Sequence, residues 1–252
     1  MKLELRGVSK KYSDHNVEAL KEVNLGIEAG DFIAICGPSG CGKSTLLNII
    51  GLIDRPSAGS VRFSNEDISS LTDESLTRLR GQRVGFVFQF FNLLSTLTVA
   101  ENVALPLEIA GSANKTKSSE GDLRKKVMET LDRVGISQRA SFYPSQLSGG
   151  EMQRAAIARA VIHSPEILVA DEPTGNLDSE SGKLVLDLLK QLNERDGQTI
   201  IMATHSAEAS TYASRLIVMR DGKIVSGDGF KREAADAIDS ARLDGDPVSG
   251  DA

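Results

Sequence analysis

Apolar and polar residues alternate along the first 35 positions of the chain. Leu3 and Leu5 share one face, and Val23, Leu25 and Ile27 repeat the pattern. A period of two sends neighbouring side chains to opposite faces, so these segments predict strands with one buried face. Phe32–Cys36 is instead a continuous apolar run that stops at Gly37, which predicts a strand buried on both faces and ending in a loop. Residues 167–170 and Thr199–Ala203 are two more such runs, and residues 84–88 read as a further strand. Residues 43–52 have helical character, and Val127, Leu131 and Val134 recur at helical spacing. Thr98-Val99-Ala100-Glu101 has the form of a capping box, so a helix is expected to open there. Residues 216–219, Asp221-Gly222 and residues 223–225 predict a hairpin with a tight Asp-Gly turn. Residues 111–121 are small and polar and predict a flexible connection.

Strands and helices that alternate around buried apolar strands predict an α/β core with a parallel sheet. Antiparallel β structure is expected at the N-terminus and near residues 216–225. Residues 90–163 read as mostly helical, a candidate subdomain. There is no internal repeat. From about residue 230 the character changes. Residues 230–252 hold six acids and three bases, half of the net charge of −6. This stretch is expected to be a disordered acidic tail, with a short helix over 231–243 left open.

Composition narrows the class. With 40% apolar and 25% charged residues in 252, the whole chain is neither disordered nor a coiled-coil rod. The acidic balance argues against broad nucleic-acid binding, so no nucleic-acid partner is expected. Cys36 and Cys41 are the only cysteines, too few for a disulfide framework, which suggests a reducing compartment. No run approaches the ~20 apolar residues that span a bilayer, and Met-Lys-Leu-Glu-Leu-Arg is no secretory signal. The expectation is a cytoplasmic protein whose membrane role, if any, comes through a partner.

Gly37-Pro38-Ser39-Gly40-Cys41-Gly42-Lys43-Ser44, with Thr45 beside it, fits the phosphate-loop pattern G-x-x-x-x-G-K-[ST] between a strand and a helix. Glycines let backbone N–H groups converge on phosphate oxygens, and the helix N-terminus adds partial positive charge. Lys43 suits the β- and γ-phosphates. The Ser44 hydroxyl suits Mg²⁺, a hard cation that prefers oxygen. At the end of the strand over 167–170, Asp171 is placed to hold the hydration shell of that cation. Glu172, the next residue, is placed to orient or deprotonate an attacking water.

Further motifs are more specific. Gln89 follows the strand over 84–88. Leu147-Ser148-Gly149-Gly150-Glu151, with Gln153, precedes a helical run, and His205 ends the strand over 200–204. Together with the phosphate loop, and in this order, they resemble the ATP-binding cassette family over about residues 1–229. The resemblance implies a P-loop ATPase with a mostly parallel core, an N-terminal antiparallel β subdomain and a helical subdomain over about 90–163. It implies ATP and Mg²⁺ as ligands, with catalytic roles for Glu172, His205 and Gln89 and metal contacts from Ser44, Gln89 and Asp171. Asn176-Leu177-Asp178 matches the family's D-loop, and Tyr12 its adenine-stacking aromatic. Ser148, Gly149 and Gly150 match the segment that completes the site of a second subunit, so a homodimer or pseudo-dimer with ATP at its interface is implied. Ser148-x-x-Glu151 is also a helix capping box, but two glycines weaken a helix start and suit close approach of a phosphate.

Residues 84–94, 98–103, 105–107 and 171–178 resemble the lipoprotein-release, macrolide-export and cell-division group within that family. The resemblance implies a separate transmembrane permease, with this chain on the cytoplasmic face of the plasma (inner) membrane. Export or mechanotransmission is the reading, with cell-division signalling through a membrane partner as the alternative. A soluble cassette ATPase is less favoured. Gln89 and Ser148 lie 59 residues apart, too close for the coiled-coil insertion of the repair type. Phe90, Phe91, Leu93 and Leu94 are either core or, if exposed, a docking patch for the partner. Ser206 stands where many family members carry Asp. Cys41 sits inside the phosphate loop, where loop amides and Lys43 are expected to lower its pKa.

Overall fold

A computed structural model describes residues 2–12, 17–64, 66–114 and 119–227. The acidic stretch expected to form a tail over 230–252 lies outside the described residues. Strand β1 (Leu3–Tyr12) pairs antiparallel with β2 (Val17–Ile27) in the register Leu5↔Leu25 and Leu3↔Ile27. The buried faces named from the alternation therefore coincide. On its other edge β1 pairs with β4 (Ala58–Phe63), which carries the short β5 (Glu66–Asp67), giving an antiparallel sheet of order β2-β1-β4-β5.

The second sheet holds the continuous apolar strands. β3 (Phe32–Cys36), β6 (Val84–Val87), β7 (Ile167–Asp171), β8 (Thr199–Ala203) and β9 (Arg215–Arg220) run parallel, and β10 (Lys223–Gly227) closes one edge antiparallel. The order is β10-β9-β3-β8-β7-β6. Both faces of this sheet are covered, which is why its strands do not alternate. Ile33, Ile35, Ile167, Val169, Ile201 and Ala203 face a core shared with α1 (Lys43–Ile50) and the antiparallel sheet. Phe32, Ala34, Leu168, Ala170, Ile200 and Met202 face the core on the opposite side. Burying one such aliphatic side chain stabilises the fold by roughly 1.5–3 kcal/mol.

That opposite core is closed by helices. α2 (Asp73–Arg83) packs on β6 but sends Leu76 and Leu79 to the first core, so the closing helices are α3 (Val99–Asn114), α4 (Glu120–Arg133) and α5 (Gly149–Val161). α6 (Ser179–Asp196) packs on α5, and the short α7 (Ala207–Ser210) follows β8. The capping box at the start of α3 forms as read: Glu101 Oε2 accepts the Thr98 N–H at 2.7 Å and Thr98 Oγ1 accepts the Glu101 N–H at 3.3 Å. α3 then runs on to Asn114, into the stretch expected to be a connection. Ser119 caps α4, so that connection shortens to residues 115–118, outside the described residues. No helix among the described residues is long and apolar enough to cross a membrane.

Candidate nucleotide site

The loop from β3 to α1 is shaped by what lies under it. At Gly37 (φ 153°) a Cβ would sit 2.2 Å from Met219 O, and at Gly42 (φ 106°) 2.5 Å from Ala19 O. Only glycine lets the loop lie on β9 and β2 at these points. Gly42 enters α1 with no side-chain cap and no acid in the first turn, so the N–H groups of that turn are left for an anion. Lys43 Nζ donates to Gly37 O at 2.8 Å and Pro38 O at 3.0 Å, spanning the loop.

A cavity of about 700 Å³ opens above this loop. Ser39, Gly40, Gly42, Lys43, Ser44 and Thr45 line it from one side, and Gln89, Asp171, Glu172 and His205 from the other. Lys43, Ser44, Gln89, Asp171, Glu172 and His205, from four separate stretches of sequence, thus meet at one place. The Ser44 hydroxyl bonds the Asp171 carboxylate. Burial raises the Asp171 pKa, the like charge of Glu172 adds to this, and Ser44 and Lys43 oppose it. A half-buried carboxylate held at that disadvantage favours a cation beside it, and its neighbours offer hard oxygen donors suited to Mg²⁺.

Glu172 takes a positive φ of 47°, uncommon for a non-glycine residue, with its N–H held by Ala203 O at 3.0 Å. The turn after it closes through Gly175 N–H to Glu172 O at 3.0 Å. Asn176 then reaches across to Gln89, donating to its carbonyl at 3.0 Å, while Gln89 Nε2 donates to Asn176 Oδ1 at 3.3 Å.

Other expected residues lie outside this cavity. Tyr12, at the end of β1 and 37% exposed, gives its hydroxyl to Asp54 Oδ2 at 3.0 Å, with Lys10 Nζ 5.0 Å from its ring centre. Ser148, Gly149 and Gly150 begin α5 away from the cavity. The capping box there is real: Ser148 Oγ accepts the Glu151 N–H at 3.3 Å and Glu151 Oε2 accepts the Ser148 N–H at 2.9 Å. Gly150 also has a reason within the chain, because a Cβ would meet Ser181 at 2.9 Å where α5 packs on α6. Asp178 caps α6 by accepting the Ser181 N–H at 2.9 Å, which holds its carboxyl below the usual range. Ser206 caps α7 by accepting the Ala209 N–H.

Cys41 corrects the reading of the loop. Its side chain is buried in the core between the sheets. Burial outweighs Lys43 and the loop amides, so its pKa is raised rather than lowered, and Cys36 is pushed up to about 11 for the same reason. Two groups at the site carry no role assigned from the sequence. The Asp221-Gly222 turn lines the cavity, although its pattern announces only a hairpin. Gln153, fully buried on α5, donates to the backbone beside Gln89 and beside Glu172. Its signal was a polar residue at a helix position where the pattern demands an apolar one.

A second cavity, of about 900 Å³, lies between α2 and α3. Phe86, Phe88, Leu105, Pro106 and Ile109 form its apolar wall, and Glu74, Arg78 and His163 are among its polar residues. The neighbouring segment divides: Phe90 and Leu94 are exposed, whereas Phe91 is half-buried and Leu93 packs on the core.

Residues 20–175 match the family described as ABC transporter. An uncharacterized ABC transporter ATP-binding protein of Methanocaldococcus jannaschii, MJ1508, is 48% identical over 225 residues, which are 88% of this chain and 97% of that protein. The macrolide export ATP-binding/permease protein MacB of Aggregatibacter actinomycetemcomitans is 43% identical over 94% of this chain, but the match spans only 36% of MacB. Among solved structures, the dimeric post-hydrolysis state of the ATP-binding cassette MJ0796 bound to ADP and Pi superposes with a TM-score of 0.81 at 42% identity, covering 90% of this chain and all of that one.

Proposed function

The chain belongs to the ABC transporter family as an ATP-hydrolysing subunit, and from that premise we propose how its residues divide the work. The observation that carries the assignment is the convergence of Lys43, Ser44, Gln89, Asp171, Glu172 and His205 on one cavity. The phosphate-loop amides and Lys43 hold the β- and γ-phosphates of ATP. Ser44, Asp171 and Gln89 hold Mg²⁺, which when bound neutralises charge on the phosphate oxygens. Glu172 orients the attacking water and accepts its proton. His205, next to Glu172, contacts the γ-phosphate. Tyr12 stacks on adenine from the open end of the site. Ser148, Gly149 and Gly150 act on the nucleotide of a second copy, with Asp178 at the same interface. ATP binding closes the dimer and hydrolysis reopens it.

The membrane partner is a permease of the macrolide-export or lipoprotein-release type, for which the likeness to MacB speaks. Its cytoplasmic helix enters the apolar cavity between α2 and α3, and the exposed Phe90 and Leu94 offer further apolar contact. The chain then sits peripherally on the cytoplasmic face of the plasma (inner) membrane. The test is to tag the Glu172→Gln variant, solubilise native membranes with MgATP and identify what co-purifies. A stoichiometric multi-span protein with a large extracytoplasmic domain supports this reading. A soluble ATP-bound dimer with no membrane protein moves it to a soluble cassette ATPase.

A further inference from the structure

Gln153 sits on the second turn of α5 with none of its surface exposed. Its Nε2 donates to Pro173 O at 2.7 Å and to Phe88 O at 3.3 Å. Pro173 follows Glu172 directly, and Phe88 precedes Gln89 directly. One amide therefore ties together the backbone that carries the water-orienting carboxylate and the backbone that carries the metal-side glutamine. The orientation of that amide is fixed by chemistry. Turned over, it would set its oxygen against two carbonyl oxygens. Its Oε1 is buried and has no partner among the described residues. A buried polar group left so is disfavoured unless the bonds on its other side require it. Those bonds are the two to Phe88 and Pro173.

Ser148, the residue assigned to the second copy's nucleotide, caps the start of α5 five residues before Gln153. We infer that Gln153 is a positioning residue for hydrolysis, which sets the spacing between Gln89 and Glu172 and locks both to the helix that contacts the other subunit's ATP. Asn176 ties Gln89 to the turn after Glu172 on the exposed side, and Gln153 does so on the buried side. Without the buried tie, docking at Ser148 no longer sets the geometry around the water.

This role rests on the assignment of Glu172 and Gln89 above, and the experiment separates the two. Steady-state MgATP hydrolysis is measured on the full-length chain, on Gln153→Met, which keeps the volume and loses the donor, and on Gln153→His, whose Nε2 restores a donor at similar reach. Glu172→Gln and Gln89→Ala are assayed beside them, with thermal denaturation and nucleotide titration to count folded sites. Gln153→Met is expected to lose at least tenfold in kcat per folded site with KM for ATP within about twofold. Gln153→His is expected to recover part of the loss, and the loss is expected to shrink in the Gln89→Ala background. Full kcat per folded site in Gln153→Met, or a loss explained wholly by unfolding, overturns the positioning role. Wild-type turnover in Glu172→Gln overturns the catalytic assignment instead.

Discussion

Glu172 Oε2 lies 2.9 Å from His205 Nδ1, and the His205 backbone N–H approaches the same oxygen at 3.4 Å. The carboxylate is mostly shielded while the imidazole is largely exposed, with 17% and 69% of their side-chain surfaces accessible. In the free chain the proposed base is thus held by its neighbour, and an entering γ-phosphate competes for the histidine. Glu172→Gln should lower kcat by at least ~10²-fold, the scale of general-base catalysis, and keep ATP binding. His205→Ala should lower kcat while binding persists. Steady-state ATPase rates and nucleotide titrations check both, and an unchanged kcat in either variant contradicts the assigned role.

Asp171 predicts a trade of stability against activity. Its folded-state pKa is raised, chiefly by burial. The resulting destabilisation is fully present above the folded pKa and disappears as pH falls below the unfolded value. At neutral pH, Asp171→Asn should therefore raise the Tm of the nucleotide-free chain and abolish MgATP hydrolysis. A lower Tm in the variant contradicts the sign.

Cys41 and Cys36 should resist alkylation. Both are buried with raised pKa values, so little thiolate exists at neutral pH. Iodoacetamide at pH 7.5 should label the native chain far more slowly than the denatured chain, and labelling should accelerate with alkali. Rapid stoichiometric labelling of the native protein at neutral pH contradicts this.

Gly42→Ala should damage both fold and binding. The new methyl would be driven to 2.5 Å from Ala19 O at a φ that alanine disfavours. The strain is on the order of 1–3 kcal/mol before any clash is relieved. The expected result is a lower Tm and loss of ATP affinity, read by denaturation and titration. Wild-type affinity would show that the loop shifts freely.

Ile109→Glu should separate partner binding from chemistry. Ile109 is 62% exposed on the wall of the second cavity, remote in sequence from the phosphate loop. Hydrolysis by the isolated chain should stay within about twofold, while capture of the membrane partner fails. Undiminished capture would remove this cavity from the docking surface.

The strands of the parallel sheet were legible because both faces are covered: Phe32–Cys36 and Thr199–Ala203 have no polar residue to spare for solvent. Their order was not legible, since nothing local in β9 says that it pairs with β3. α2 is not legible in the pattern, because only Leu76 and Leu79 are buried among its charged residues. α6 carries its own end signals, Asp178 as cap and Gly197 as stop, although Asp178 also fits the D-loop pattern. At the site, Lys43, Ser44, Gln89, Asp171, Glu172 and His205 line one cavity, whereas Tyr12, Ser148 and Asp178 lie outside it. Gln153 and the burial of Cys41 depend on packing between distant segments, which spacing along the chain does not encode.

The floor of the phosphate loop comes from far downstream. Met219 O lies beneath Gly37, the Gly222 N–H donates to Cys41 O at 3.0 Å, and Gly222 O accepts from Lys21 N–H at 2.8 Å. During synthesis the nucleotide motif therefore leaves the ribosome long before the surface it rests on. A nascent chain halted near residue 210 carries every residue assigned to the phosphates and still lacks β9, so the floor of the loop is not yet made. Truncation before the hairpin costs the cell the active site itself, although no residue of the motif is lost.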